Sequence, residues 1–332
     1  MEQFCVPVKI VRLVLILSFL LTSLSCSTMN KMAVGGSSNL LYESSGGILG
    51  ESNYEVFKHA IAGNLVLLEG LLRQSPKNLN LLATLNKGYA GYAFAINETQ
   101  MIEEEWANLK SEEGRKQALL NYSRALSFGI RYLEERGVEF DEIISRMNEP
   151  QGIFHLLDKN LNTNKRDLEL VLFTAQALGS LVNLQKDNMG LISHLTAVKG
   201  MFDWVCIKDP SINFGTCDIF YGAYEAGRPT MLGGNPKKGK EIFLKAISKH
   251  PHNWLMRASY LQFYLIPQND EEGFKEQMAF LKNHDQEFSQ YYIYDQNPKI
   301  EKPWMRETNI RLYQTLALKR YELMNRFQKQ FF

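Results

Sequence analysis

From Leu168 to Leu184 the chain reads LELVLFTAQALGSLVNL, which is hydrophobic nearly all the way round a helix. A helix of that kind has no face to offer to water, so it belongs in the middle of a fold. Elsewhere the apolar residues recur at helical spacing. Tyr54 to Arg73 carries Phe57, Ile61, Leu65, Leu68 and Leu71, with Gly63-Asn64 suggesting one short helix and then a second. Gly114 to Arg136 and Asn309 to Phe331 show one apolar side each, and Gly137 is a helix stop. After the first 25 residues no alternating strand pattern and no Asn-Gly hairpin occurs, so the expected class is all-α.

The pairing of the helices is suggested by Gly239, Phe243, Ala246 and Pro251, the small, aromatic, small, proline spacing of a tetratricopeptide second helix, with Tyr264 thirteen residues on. Small residues sit where two helices approach closely, and proline ends a helix for want of a backbone donor. Leu68, Leu71, Pro76 and Tyr89 repeat part of the pattern, as do Ala118, Tyr122 and Ala125. One extended domain of helical-hairpin repeats over residues 53–332 is the expectation.

Gly234, Gly239 and Lys240 have the spacing of a phosphate-binding loop. The next residue, however, is Glu241 where Ser or Thr should hold magnesium, and no buried strand precedes it, so nucleotide binding is set aside. The formal charge of +1 gives no electrostatic case for nucleic acid. His59, His155, His194, His250, His252 and His284 are scattered, and no Gly-x-Ser-x-Gly elbow occurs. The sequence therefore supports no catalytic set, no metal site and no cofactor. His250 and His252, either side of Pro251, read as solvent-facing turn residues.

The N-terminus reads as a targeting segment over residues 1–25. Lys9 and Arg12 precede the apolar run Leu13 to Leu21, too short to cross a bilayer permanently, and Leu24-Ser25-Cys26 is similar to a bacterial lipobox. Cys26 is then the acylated residue and the membrane anchor, with ordinary secretion as the alternative, and residues 26–52 form a flexible lipidated tether. Ser27 after the cysteine is similar to lipoproteins sorted to an outer membrane. Cys206 and Cys217 flank a turn at Lys208 to Ser211 at nearly equal distances, which suits either a disulfide or two buried thiols.

For ligand contact the candidates are Trp204, Phe220, Tyr221, Tyr224, Arg228, Trp254, Arg257 and Tyr260: aromatics with a few polar tips, and two arginines able to pair a carboxylate. The competing expectation is that most are core residues, with Arg228 on helix-end carbonyls. Lys237, Lys238 and Lys240 form a solvated helix start or a dock for an acidic partner, and Glu103 to Glu105 and Asp270 to Glu272 are read as helix starts.

The stretch FKHAIAGNLVLLEGLLRQSPKNLNLLATLNKGYAGY from Phe57 to Tyr92 resembles the T component of tripartite ATP-independent periplasmic (TRAP) transporters, the TatT family. So do Gly222, Gly227, Arg228 and Pro229 running into Leu232-Gly233-Gly234, then Phe243-Leu244-Lys245-Ala246, and Asn309-Ile310-Arg311-Leu312. The resemblance implies a periplasm-facing lipoprotein that associates with the substrate-binding P subunit and forms a homotrimer. It also implies a cavity in each protomer for a small organic ligand, carboxylate or hydrophobic. The alternatives are a helical-repeat scaffold of the envelope and, at lower weight, an envelope hydrolase.

Overall fold

The computed structural model describes residues 33–291 and 302–332; the leader, Cys5, Cys26 and most of the 290–303 connection lie outside them. Among the described residues there is no strand, and the fold is all-α. The chain runs α1 (33–44), α2 (Tyr54–Gln74), α3 (Leu79–Tyr92), α4 (Glu98–Trp106), α5 (Glu113–Glu135), α6 (Phe140–Ser145), α7 (Gly152–Asn160) and α8 (Lys165–Leu184). It continues through α9 (Met189–Ile192), α10 (Leu195–Lys208), α11 (Ile212–Gly227), α12 (Pro236–Lys249), α13 (Leu255–Tyr260), α14 (Glu271–Tyr291) and α15 (Arg311–Phe327).

Asparagine opens helix after helix. Asn53, Asn78, Asn164, Asn188 and Asn235 each accept a backbone N–H from the first turn of α2, α3, α8, α9 and α12. Pro236 follows at the first helical position of α12, where a missing N–H costs nothing. Asp270 plays the same part for α14, accepting from the Gly273 N–H at 2.9 Å.

The helix α8 is the centre. It packs on α3 and α5, which also pack on each other, and α10 covers a further flank. Although α8 is long and apolar enough to cross a membrane, 72% of its apolar window is buried inside the protein, as a core helix requires. Between α3, α5 and α8 the Asn86 amide donates to the Ala125 carbonyl (2.9 Å) and to Thr174 Oγ1 (3.3 Å). Gly129 allows that approach, since a Cβ there would lie 2.2 Å from Thr174 Oγ1. In the second half α11 packs on α12, and α15 returns to touch α13, α2 and α4.

The α11–α12 contact has the chemistry expected of a close helix pair. A Cβ on Gly222 would lie 2.8 Å from the Phe243 ring, and one on Gly239 would lie 2.9 Å from the Ala226 Cβ. Gly239 thus serves packing. Gly234 is equally confined, because a Cβ would fall 1.9 Å from the Arg228 carbonyl oxygen.

Three local expectations differ from what is observed. The tether reading for 26–52 fails from residue 33 onward: α1 buries Val34, Ser38 and Tyr42, four residues apart, and a short 3-10 helix spans Ser45–Gly50. Four-residue spacing puts those three on one face, and this outweighs the Ser/Gly composition. Tyr42 then donates to buried Glu169 at 2.9 Å. The break expected at Gly63-Asn64 is absent, because Phe57, Ile61, Leu65 and Leu72 bury one continuous stripe that offsets the cost of a mid-helix glycine. Finally, Glu103 to Glu105 lie in the last turns of α4. Buried Glu104 serves the next helix instead, accepting the Gly114 N–H at 3.0 Å.

Candidate functional site

A cavity of about 1910 Å3 lies among α2, α3, α4, α8, α10, α11, the turn after α13 and α15. Pockets for drug-sized ligands usually span roughly 300–1000 Å3, so this one has room for a larger molecule. The lining is mainly apolar, including Phe57, Leu65, Phe94, Phe173, Phe263 and Leu316.

Two π turns border this hollow. After α3, five residues (Ala93–Asn97) form a π turn, and a second π turn (Leu261–Leu265) follows α13. Phe94 and Ala95 from the first, and Gln262 and Phe263 from the second, line the cavity. Such turns are rare and concentrate at functional sites, because the extra residue shifts the hydrogen-bond ladder and re-aims side chains. The displaced carbonyls are met from outside: Arg320 donates to the Phe94 oxygen (3.1 Å), and the Thr99 hydroxyl donates to the Ala95 oxygen (2.6 Å).

The wall also carries charges. Lys87 Nζ sits 3.0 Å from Glu169 Oε1, a pair that is nearly buried. Glu98 lines the cavity and accepts from Tyr122 Oη at 2.6 Å, with Arg320 Nη2 4.0 Å away. Burial holds its carboxyl above the usual range, opposed by the Arg320 charge and by hydroxyl hydrogen bonds. Arg115 donates to the Leu184 carbonyl.

Of the residues nominated from sequence, Tyr224 and Arg228 line this cavity, as does Phe220. Arg228 Nε donates to the Tyr224 carbonyl (3.0 Å) and Nη2 to the Gly233 carbonyl (3.1 Å), while its guanidinium lies 3.7 Å from the centre of the Tyr224 ring. Burial raises the Tyr224 hydroxyl pKa. The other five are placed elsewhere. Trp204 is in the core. Tyr221 donates to Asp203 at 2.7 Å. Trp254 packs edge-on to His284, Phe288 and Trp304. Arg257 donates to Gln277 at 2.6 Å and covers Phe280. Tyr260 stacks on Tyr264 and leans on Phe243. Large aromatics satisfy core and cavity alike, so their identity alone cannot sort them.

Cys206 and Cys217 are joined as a disulfide, Cα–Cα 5.9 Å, tying α10 to the first turns of α11. Next to it Asn213, Phe214 and Gly215 all have positive φ, with Gly215 against His250 and Met256. His250 and His252 are not free in solvent: His252 Nδ1 is 2.6 Å from Glu307 Oε1, and His250 is half-buried near Asp218. Lys238 pairs with Glu225 at 2.8 Å and Lys240 with Asp270 at 3.0 Å.

Sequence reasoning missed the polar cavity residues Lys87, Glu98, Gln176, Ser180 and Asn183. A signal was present, since Gln176, Ser180 and Asn183 fall at spacings of four and three on an otherwise apolar helix. Among the described residues no three His, Cys, Asp or Glu side chains gather as metal ligands. Its physical capacity is to enclose an apolar body and hydrogen-bond its edges. In comparison with known proteins, the profile of the TRAP transporter T-component family, TAtT, matches residues 50–290. No curated protein matches the chain.

Proposed function

The chain belongs to the TRAP transporter T-component family, and from that premise we propose that it is a non-catalytic accessory subunit that binds the transporter's substrate-binding P subunit and carries a small organic ligand through its central hollow. As a TRAP transporter component it belongs to the bacterial cell envelope. Our reading adds that it faces the periplasm, is held through acylated Cys26 to the outer membrane, and works as a homotrimer with one hollow per protomer.

The observation that carries the proposal is the hollow itself, about 1910 Å3 of mainly apolar space between the helices of an all-α fold. A mainly apolar lining of that extent suits an apolar guest with a few polar edges. Two π turns that direct Phe94 and Phe263 to the same space add to the case.

Capture of the P subunit tests the proposal. The purified chain, immobilised and mixed with solubilised native membranes and periplasm, should retain the P subunit in stoichiometric amount. Recovery no greater than on a blank support, with the chain shown to be folded, would overturn the partner assignment.

A further inference from the structure

The cavity wall is chemically divided. On α8, Gln176, Ser180 and Asn183 share one face, and all three line the cavity. The Ser180 hydroxyl lies beside Glu98, whereas among the described residues no protein hydrogen bond engages the Gln176 or Asn183 amides. On α10 and α11, Phe202 and Phe220 stack with centroids 3.6 Å apart and planes within 3°, and Tyr224 follows 5.4 Å from Phe220. These three also line the cavity.

The two regions adjoin. A Cβ on Gly179 would meet Val198 Cγ1 at 3.2 Å, so α10 crosses α8 closely beside Ser180. Phe202 lies one helical turn beyond Val198, about 6 Å along α10. A single ligand of ordinary size reaches from the amide strip to the aromatic ladder.

The charges decide what the strip can hold. Lys87 is matched by Glu169, Arg228 by Glu225 at 3.7 Å and two carbonyls, and Arg115 by the Leu184 carbonyl. Lys186 and Asp187 lie exposed side by side, and Glu51 and Glu105 add negative charge to the lining. An anion entering this space would meet half-buried Lys87 and Arg228 already paired with carboxylates, exposed Arg115 and Lys186 in contact with solvent, and the negative charges of Glu51, Glu105 and Asp187, and would lose its own hydration. Amides donate and accept without charge, and that suits hydroxyl or ether groups.

We propose that the Gln176–Ser180–Asn183 strip and the Phe202–Phe220–Tyr224 ladder form a site for an uncharged amphiphile, with an apolar or aromatic body on the ladder and hydroxyl or ether groups on the strip. This deepens the ligand-carrying reading above and rests on it. Isothermal titration of the purified full chain with decyl β-glucoside and with decanoate, matched in chain length and kept below micelle concentration, tests it. The glucoside should saturate at one per chain and bind at least tenfold more tightly than decanoate. Gln176→Leu and Asn183→Leu should each weaken glucoside binding by about three- to tenfold, the value of one lost hydrogen bond, and leave decanoate binding and the denaturation midpoint unchanged. Should Gln176→Leu fail to fold, exposed Asn183 keeps the test available. Equal or tighter decanoate binding, or glucoside affinity unchanged in both variants, would overturn the uncharged-ligand site while leaving the hollow a carrier. Absence of binding by both probes to the folded chain would remove this site together with the ligand-carrying reading.

Discussion

Two glycines on one helix separate the cavity from ordinary packing. Gly88 and Gly91 both lie on α3 and both line the hollow. A Cβ on Gly91 would have nothing within 4 Å, whereas one on Gly88 would fall 2.5 Å from Leu65 Cδ2. Leu65 is only 2% exposed, so its Cδ2 can give way only by turning toward the hollow that it also lines. Replacing a mid-helix glycine by alanine removes backbone entropy from the unfolded chain and gains about 0.5–1 kcal/mol where space allows. Gly91→Ala should therefore stabilise the protein by about that amount. Gly88→Ala receives the same gain but overpacks the α2–α3 contact, at a cost of about 1–3 kcal/mol, and should be neutral to about 2 kcal/mol destabilised. Guanidinium denaturation, compared at unchanged slope, reads the difference between the two variants as roughly 1–3 kcal/mol. Equal effects at both positions, or a loss of more than about 1 kcal/mol for Gly91→Ala, would mean that Gly91 faces packed protein and that the cavity is misplaced.

Other perturbations address the elements that shape this wall. Reduction of Cys206–Cys217, or its replacement by two serines, should cost about 3 kcal/mol of unfolding free energy for so short a loop, measured with and without a thiol reductant; a change below about 0.5 kcal/mol would remove the disulfide from the account. Phe243→Ala should cost about 3–5 kcal/mol, since the ring is fully buried against Gly222, and chemical denaturation reads it. The Asp270 carboxyl is held below its ordinary value by the Gly273 N–H and then by Lys240. Its contribution is therefore complete above the unfolded aspartate pKa of about 3.9 and is lost as pH falls through the lower folded value. Asp270→Asn keeps the helix cap but not the charge, so the wild type's advantage over it should shrink on acidification from about pH 5 to about pH 2.5; a constant difference would contradict the assignment.

How far the sequence could be read depended on whether a residue's role was local. The central place of α8 was legible because a helix apolar nearly all the way round has only one home, and its Gln176, Ser180 and Asn183 are what the cavity uses. The Gly222, Phe243 and Gly239 contact was legible in part, since close helix approach demands small residues opposite a ring. The cavity was not legible. Trp204 and Tyr224 follow the same apolar periodicity, yet one is walled in and the other faces the hollow. What separates them is which side of each helix its distant neighbours cover, a long-range property that local sequence does not encode. Residues 33–44 were obscured because serine and glycine are frequent there, while Val34, Ser38 and Tyr42, with Leu41 beside them, hold the helix down.

The central claim, that the hollow conducts a ligand for the transporter, is tested most directly by blocking it. Gly91 and Ala223 line the cavity from α3 and α11, and tryptophan at both would obstruct it from two walls. Uptake of the transporter's substrate, measured in cells carrying the folded double variant that still captures the P subunit, should fall at least tenfold. Uptake at the wild-type rate with the hollow blocked would contradict the account and leave the protein a scaffold.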